Sequence, residues 1–96
     1  MTNYVFEITD KSKRKIHLSK ERWGKHIRML HPEIVKSEEI EEVLKNPEII
    51  NPSDRDESVR WYYKYNKQRK RYFKVSVKYL NGKGYIITAH YTKKIE

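Results

Sequence analysis

Apolar and polar residues alternate along three segments in the second half of the chain. The odd-numbered positions are apolar or aromatic from residue 59 to 65, from 73 to 79 and from 85 to 91. A period of two is that of a strand with one buried face, so the pattern predicts a three-stranded antiparallel meander. The sequence Asn-Gly-Lys-Gly at 81–84 is typical of a tight turn, and residues 66–70 predict a longer basic loop.

The first half of the chain predicts a hairpin of two short strands followed by two helices. Apolar residues on both sides of a polar turn at 10–13 indicate the hairpin. Ser19 is placed to cap the first helix, and Pro32 ends it because the residue before a proline is pushed out of the helical region. Ser37 is placed to cap the second helix, which stops before Pro47. The two apolar stripes are Trp23, Ile27 and Leu30 in the first helix, and Ile40, Val43 and Leu44 in the second.

These elements predict one α+β domain that spans residues 1–96. N-terminal short strands and two helices would pack on the C-terminal antiparallel meander, and Ile49-Ile50 would add a brief strand. A chain of 96 residues buries one modest core and has no room for a second domain or a large cofactor fold.

The even-numbered positions of the meander predict a polar face on the side of the sheet that the helices leave uncovered. These positions are Arg60, Tyr62, Lys64, Lys74, Ser76, Lys78, Ile86, Thr88 and His90. Such a face brings basic groups, a hydroxyl and an imidazole within a few strand spacings. A binding face and an ordinary solvated sheet face both fit this pattern.

The positive charge of the chain favours an anionic partner. The net charge is +9, from 22 Lys and Arg against 13 Asp and Glu, and residues 60–79 combine cations with aromatic rings and contain no acid. Cations bind phosphates and rings stack on bases, so this composition favours RNA, with DNA as the other candidate. The predicted nucleic-acid-binding residues are Tyr62, Lys67, Arg69, Lys70, Arg71, Lys74, Lys78 and His90. The alternative is a solvated basic hairpin whose aromatic residues belong to the core.

Several classes of protein are disfavoured. A chain without cysteine has no disulfide, no thiol chemistry and no zinc finger of the usual forms. No stretch approaches the roughly 20 apolar residues of a membrane span, and residues 1–4 lack an apolar secretion segment. We therefore expect a cytoplasmic protein that does not contact a membrane. The spacing of His17, His26, His31 and His90 does not favour a metal site, and no cofactor is predicted.

Histidine chemistry suits RNA cleavage without a metal. The reaction needs a base for the 2′-hydroxyl proton, an acid for the leaving oxygen and cations for the charge that develops on the phosphate. His26 and His31 are candidates for the first two roles. Each histidine also has a structural alternative. His26 lies beside an apolar stripe and could be a packing residue, and His31 lies at a helix C-terminus, where the helix dipole favours a cation without any catalytic role.

Six short segments, taken in order along the chain, form a recognisable combination of motifs. They are Leu18-Ser19-Lys20-Glu21-Arg22-Trp23, His26-Ile27, His31-Pro32-Glu33, Asn46-Pro47-Glu48-Ile49-Ile50, Tyr62-Tyr63-Lys64 and Ile87-Thr88-Ala89-His90-Tyr91. This combination resembles the phage-type members of the barnase, EndoU, colicin and RelE superfamily of small nucleases, and it covers most of the chain. This resemblance implies a fold of two helices and an antiparallel sheet, with metal-independent RNA cleavage, often in a toxin or phage setting.

The resemblance also implies site residues, by matching position. They are His26 and His31 from the helix, Arg60 or Lys64 from the first meander strand, and Thr88 with Tyr91 from the last. Thr88 and Tyr91 fall on opposite faces of a regular strand, so both enter one cleft only if the strand ends or bulges between them.

We therefore predict a metal-independent endoribonuclease. In this hypothesis His26 or His31 is the acid or base, Arg60 and Lys64 bind the scissile phosphate, and Thr88 positions it. An antitoxin or inhibitor protein is a further expected partner. The alternative function is a non-catalytic RNA- or DNA-binding domain that uses the same basic aromatic hairpin.

Overall fold

A computed structural model describes residues 3–96, and Met1 and Thr2 lie outside this range. The fold is a six-stranded mixed sheet with two helices, which confirms the predicted α+β class. The strands are β1 (Tyr4–Thr9), β2 (Lys15–Ser19), β3 (Ile49–Pro52), β4 (Val59–Asn66), β5 (Arg71–Leu80) and β6 (Lys83–Thr92). Their order across the sheet is β1-β2-β6-β5-β4-β3.

Local turn chemistry fixes the hairpins. Asn81 and Gly82 have positive φ angles of 54° and 79°, the geometry of the two-residue turn that matches the twist of antiparallel strands. Asp10 organises the β1–β2 turn, where its Oδ1 accepts hydrogen bonds from the amides of Ser12 at 2.8 Å and Arg14 at 2.9 Å. The pairing of β1 with β2, and of β5 with β6, confirms both predicted hairpins.

The first helix, α1, differs from the predicted α-helical pattern. A π-helical segment, Arg22–Ile27, continues into a short α-helical turn, Arg28–Leu30. Ser19 Oγ accepts a hydrogen bond from the Arg22 amide at 3.0 Å, as expected for a cap. The wider π turns rotate later side chains around the helix axis, so Ile27 is buried while Leu30 is 61% exposed. The predicted apolar stripe is therefore wrong at Leu30.

The second helix, α2 (Glu38–Lys45), has the predicted range, but the side chain of its N-cap residue Ser37 forms no capping hydrogen bond, which differs from the prediction. Its three apolar residues are buried, and they pack over β4 and β5 in one core with side chains from one face of the sheet. We call this side of the sheet the helix-covered face and the other side the open face. Within residues 3–96, neither helix is long and apolar enough to cross a membrane.

Strand β4 is turned the opposite way from the prediction. Tyr62 pairs with Val75, and both side chains belong to the core under the helices. The even-numbered residues of β4 therefore lie on the helix-covered face, and the odd-numbered Trp61 and Tyr63 lie on the open face. The prediction that Arg60, Tyr62 and Lys64 lie on the uncovered face is wrong.

A bulge at Ile87 interrupts the pairing of β5 with β6. Before it the even-numbered Ile86 is buried, and after it the odd-numbered Ala89 is buried. Ile86 therefore belongs to the core and not to the predicted polar face. Thr88 and Tyr91 both follow the bulge, so they remain on opposite faces of β6.

Strands β2 and β6 pair in parallel over only two residue pairs, Ile16 with Gly84 and His17 with Tyr85. The second half of β6 extends beyond this contact, and α1 packs against β6. This arrangement brings the residue that follows α1, His31, to the edge of the open face.

Candidate functional site

The central row of the open face carries a lysine and a histidine side by side. Cross-strand pairing aligns Tyr63 of β4, Lys74 of β5 and His90 of β6. Side chains that are directly opposite on neighbouring strands lie within contact distance of one another. The next row consists of Trp61, Ser76 and Thr88.

His31 extends the central row beyond the edge of β6. Its ring stacks on the ring of His90, with centroids 5.4 Å apart and an angle of 27° between the planes. The backbone ends α1 here, because His31 still donates its amide to the Ile27 carbonyl at 2.8 Å while Pro32 prevents a further helical turn. Glu33 places a carboxylate oxygen 3.7 Å from Nδ1 of His31. We call His31 and His90 the histidine pair.

The surroundings of His90 keep its imidazole neutral. Burial lowers the pKa of His90 below its ordinary value of 6.5, and the positive charges of Lys74 and His31 lower the pKa further. The carboxylates of Glu96 and Glu33 act in the opposite direction but do not cancel this effect. At pH 7 His90 therefore has a nitrogen lone pair that can accept a proton.

Lys74 is buried next to this histidine, with only 5% of the residue exposed. Its Nζ lies 3.9 Å from the centroid of the Trp61 ring and 2.8 Å from Oε1 of Glu96. A buried ammonium group requires such partners, because its loss of hydration is otherwise uncompensated. The hydrogen bond and charge of Lys74 in turn lower the pKa of Glu96.

A basic groove lies where β5 begins and β6 ends. It has a volume of about 510 Å³ and is lined by Glu33, Arg69, Arg71, Tyr91, Thr92 and Lys93. The Arg69 guanidinium is held 4.7 Å from the centroid of the Tyr91 ring, and it donates to the Glu33 carbonyl at 3.1 Å. Three cations in one groove favour an anion, and Glu33 connects the groove to the histidine pair.

Two predicted phosphate ligands lie away from this site. Arg60 and Lys64 are on the helix-covered face, where Arg60 Nη1 donates to the Glu57 carbonyl at 2.6 Å. Lys64 Nζ donates to the Asn46 carbonyl at 3.0 Å and lies 3.5 Å from Oε1 of Glu42. The expectation that they share a cleft with the histidines is wrong, because β4 presents them to the other side of the sheet.

Tyr62 also has a different role from the predicted one. It is 1% exposed, and its hydroxyl donates to Asp10 Oδ2 at 3.1 Å, as does the hydroxyl of Tyr79 at 2.5 Å. A side chain buried in this way cannot stack on a base. We call Asp10, Tyr62 and Tyr79 the Asp10 cluster.

The three groups of the Asp10 cluster do not change protonation state near neutral pH. Burial raises the pKa of Asp10, but hydrogen bonds from Tyr79, Ser12, Arg14 and Tyr62 outweigh it and hold the pKa below its ordinary value. Burial raises the pKa of Tyr62 to about 12 and raises that of Tyr79 as well. The carboxylate thus stays ionised and both phenols stay protonated across the neutral range.

The other two predicted catalytic residues differ in position. Thr88 lies on the open face, one row from His90. His26 lies half-buried in the π-helical segment and forms no side-chain hydrogen bond or ring stack with another residue in 3–96. The structure therefore places Thr88 near the histidine pair and does not place His26 in it.

The predicted basic residues are spread over three places. Lys67 and Lys70 are exposed in the β4–β5 loop, close in sequence to the groove residues Arg69 and Arg71. Lys78 lies on the open face, but its Nζ forms an ion pair with Asp56 at 3.1 Å.

Sequence reasoning does not identify Glu33, Trp61, Lys93 or Glu96 as part of the site. The run Trp61-Tyr62-Tyr63 places aromatic residues on both faces of β4. The alternation of apolar and polar residues therefore cannot decide which face of β4 is buried. The position of Glu96 has no local signal, because it depends on contacts with β3, β4 and β5.

A second cavity, of about 360 Å³, lies between α2 and the sheet. Three carboxylates, those of Glu38, Glu39 and Glu42, line it and would repel a phosphate. Over the described range of 3–96, no group of three or more acidic or histidine side chains is placed to hold a metal ion. No family model, curated protein or solved structure matches the chain.

Proposed function

We propose that the protein is a metal-independent endoribonuclease, in which His90 is the base and His31 the acid. The observation that carries the proposal is the histidine pair, whose stacked rings lie beside a basic groove. A relation to the barnase, EndoU, colicin and RelE superfamily is part of this proposal, together with the toxin setting and the antitoxin or inhibitor protein that the resemblance implies.

The reaction uses the 2′-hydroxyl of the RNA as its nucleophile. Neutral His90 accepts the hydroxyl proton while the oxygen forms a bond to phosphorus, and the bond from phosphorus to the 5′-oxygen breaks. His31, as the acid, gives a proton to that leaving oxygen. The products are a 2′,3′-cyclic phosphate and a 5′-hydroxyl, and no covalent bond forms between the protein and the RNA.

The basic groove supplies the positive charge that the reaction needs. Arg69, Arg71 and Lys93 line it, and they take the place of Arg60 and Lys64 in the original hypothesis. Cations fixed beside a phosphate stabilise the charge that develops in the transition state. His90 similarly takes the role assigned to His26, because it is the histidine that contacts His31.

A test compares three histidine variants with one single-stranded RNA substrate in the presence of a chelator. We expect His31→Gln and His90→Gln each to lower the cleavage rate by about 10² to 10⁴, the usual range for a general acid or base. His26→Gln is the matched control, a histidine of α1 outside the pair, and it should cleave at close to the wild-type rate.

The products and the substrate range complete this test. RNA should be cut to 2′,3′-cyclic phosphate ends, and DNA of the same sequence should stay intact because it lacks the nucleophile. Equal losses for His26→Gln and His90→Gln, or loss of cleavage in chelator, would contradict the mechanism. Binding of RNA without cleavage would favour the non-catalytic binding domain.

A further inference from the structure

Glu96 lies on the open face although it follows the last strand. Its carboxylate Oε1 is 2.8 Å from Lys74 Nζ, and its carbonyl oxygen accepts a hydrogen bond from Asn51 Nδ2 at 2.9 Å. Its amide donates to the Tyr63 hydroxyl at 3.1 Å. Glu96 thus interacts with three adjacent strands of the sheet, β3, β4 and β5.

The two sides of this contact differ in burial. The side chain of Lys74 is 7% exposed, whereas that of Glu96 is 57% exposed. The Lys74 side is fixed by its strand and by the Trp61 ring beneath the ammonium group. Glu96 is held by the ion pair with Lys74 and by main-chain hydrogen bonds to Asn51 and Tyr63, while its side chain stays more than half exposed to solvent. The strands therefore fix the position of the Lys74 ammonium group, and the more exposed Glu96 carboxylate pairs with it from the solvent side.

The donors at this site match the parts of a nucleotide. Lys74 offers a cation to a phosphate, Asn51 offers an amide donor, and the aromatic ring of Trp61 lies beside them. A base stacks on an aromatic side chain whatever its identity, while a neighbouring cation binds the backbone. Glu96 places one carboxylate oxygen, Oε1, 2.8 Å from Lys74 Nζ, and a phosphate oxygen would form the same charge-assisted hydrogen bond.

We propose that Lys74, Trp61 and Asn51 form a nucleotide subsite for a single-stranded nucleic acid, and that Glu96 occupies the subsite until the strand displaces it. Its use for a substrate rests on the proposed function, because Lys74 is the cross-strand neighbour of His90. An RNA strand would then run from the basic groove, past the histidine pair and onto the open face. Exchange of one anion for another keeps Lys74 paired throughout.

A 2′-O-methylated RNA tetranucleotide tests binding without cleavage, since its 2′-oxygen has no proton to lose. Titration calorimetry gives its Kd for the wild type and four variants. We expect Glu96→Gln to bind about threefold tighter, because the competing charge is gone. Glu38→Gln is the matched control, with the same change of net charge at an exposed residue of α2, and it should bind less tightly than Glu96→Gln.

The subsite residues should act in the opposite direction. We expect Lys74→Met and Trp61→Leu each to weaken binding by about tenfold, as loss of a cation or of one stacked base does. Circular dichroism and thermal unfolding of each variant establish that it is folded. Lys74→Met keeps an unbranched side chain over Trp61, so it tests the charge even if Trp61→Leu fails to fold.

The outcomes separate this inference from the cleavage mechanism. Equal affinities for Glu96→Gln and Glu38→Gln, or unchanged affinity in Lys74→Met, would overturn the subsite. Tighter binding in Glu96→Gln with weaker binding in Lys74→Met supports it, even if unmodified RNA is not cut. Cleavage of RNA with no effect of Lys74 or Glu96 on affinity would keep the nuclease and reject the subsite.

Discussion

The two faces of the sheet each bury a charged side chain, but they supply its partners differently. On the helix-covered face, Asp10 accepts hydrogen bonds from two buried tyrosines and from its own turn. On the open face, Lys74 is paired with Glu96, whose side chain is more than half exposed. A partner built into the fold serves stability, whereas a partner at the surface can be exchanged for a ligand.

The two faces also differ in the pH range over which their buried groups gain or lose protons. The Asp10 cluster keeps its protons in place from mildly acidic to alkaline pH, because the pKa of the acid is lowered and those of the phenols are raised. The open face includes His90, whose pKa is lowered from the ordinary value of 6.5 mainly by burial. His90 is therefore a neutral imidazole that can accept a proton at pH 7.

The largest expected effect comes from removing the buried acid. Asp10→Ala leaves two buried tyrosine hydroxyls without their shared acceptor and takes the capping group from the β1–β2 turn. We expect a loss of about 3 kcal/mol in the free energy of unfolding, measured by urea denaturation. Asp54→Ala, at an exposed loop acid, is the control and should change stability little. A small effect of Asp10→Ala would mean that this cluster, too, tolerates exchange of its partner.

A smaller effect is expected on the pH dependence of the free energy of unfolding, which should differ between the groups of the two faces. His90 and His17 both have pKa values below 6.5 in the folded protein, so the unfolded chain binds more protons as the pH falls through 6.5. Their contribution is therefore complete above about pH 6.5 and is lost toward the lowered pKa values, with at most about 1.4 kcal/mol per pH unit for each proton. Asp10 contributes fully above its ordinary value of 3.8 and loses its contribution only at lower pH.

Denaturation midpoints from pH 3 to pH 8 test these two windows. We expect a decline from about pH 6.5 downward that becomes shallower in His90→Gln, and a second decline below about pH 4 that is reduced in Asp10→Asn. A single decline that both variants alter equally would remove the distinction between the two faces.

The smallest expected effect is on the pKa of His90 itself. Lys74→Met removes the positive charge that is the second cause of the lowered pKa, after burial, so we expect the pKa to rise. NMR titration of the imidazole C2 proton measures it. Lys78→Met is the matched control, since Lys78 is on the same face of β5 but pairs with Asp56. If His90 acts as the base, the acidic limb of the cleavage rate should move to higher pH in Lys74→Met only.

The sequence was sufficient where structure is set by neighbouring residues. The Asn81-Gly82 turn, the Ser19 cap and the buried stripe of α2 follow from local conformation and periodicity. The α+β class follows from the order of these elements. The concentration of basic residues around 69–71 was also recognisable, because charge and aromatic content do not depend on register.

The site itself could not be predicted in full, because it depends on contacts between distant segments. The face of β4 is ambiguous in a run of three aromatic residues, and the bulge at Ile87 changes which residues of β6 are buried. His31 meets His90 only because α1 lies against β6, and no local pattern encodes that contact. The resemblance grouped His31 with His26 and gave no indication that the ring of His31 contacts that of His90.

The short parallel contact between β2 and β6 also has a consequence for folding and opening. Strands β4, β5 and β6 each pair with the strand next to them in the sequence. By contrast, β2 and β6 are far apart in the sequence and pair through only two residue pairs, one of which is Ile16 with Gly84. Contacts between segments far apart in the sequence form late, because the intervening chain must first be ordered. We therefore expect the meander to fold first and the segment that carries His31 to dock afterwards. A partial opening at this seam would separate the two histidines while the rest of the sheet stayed intact.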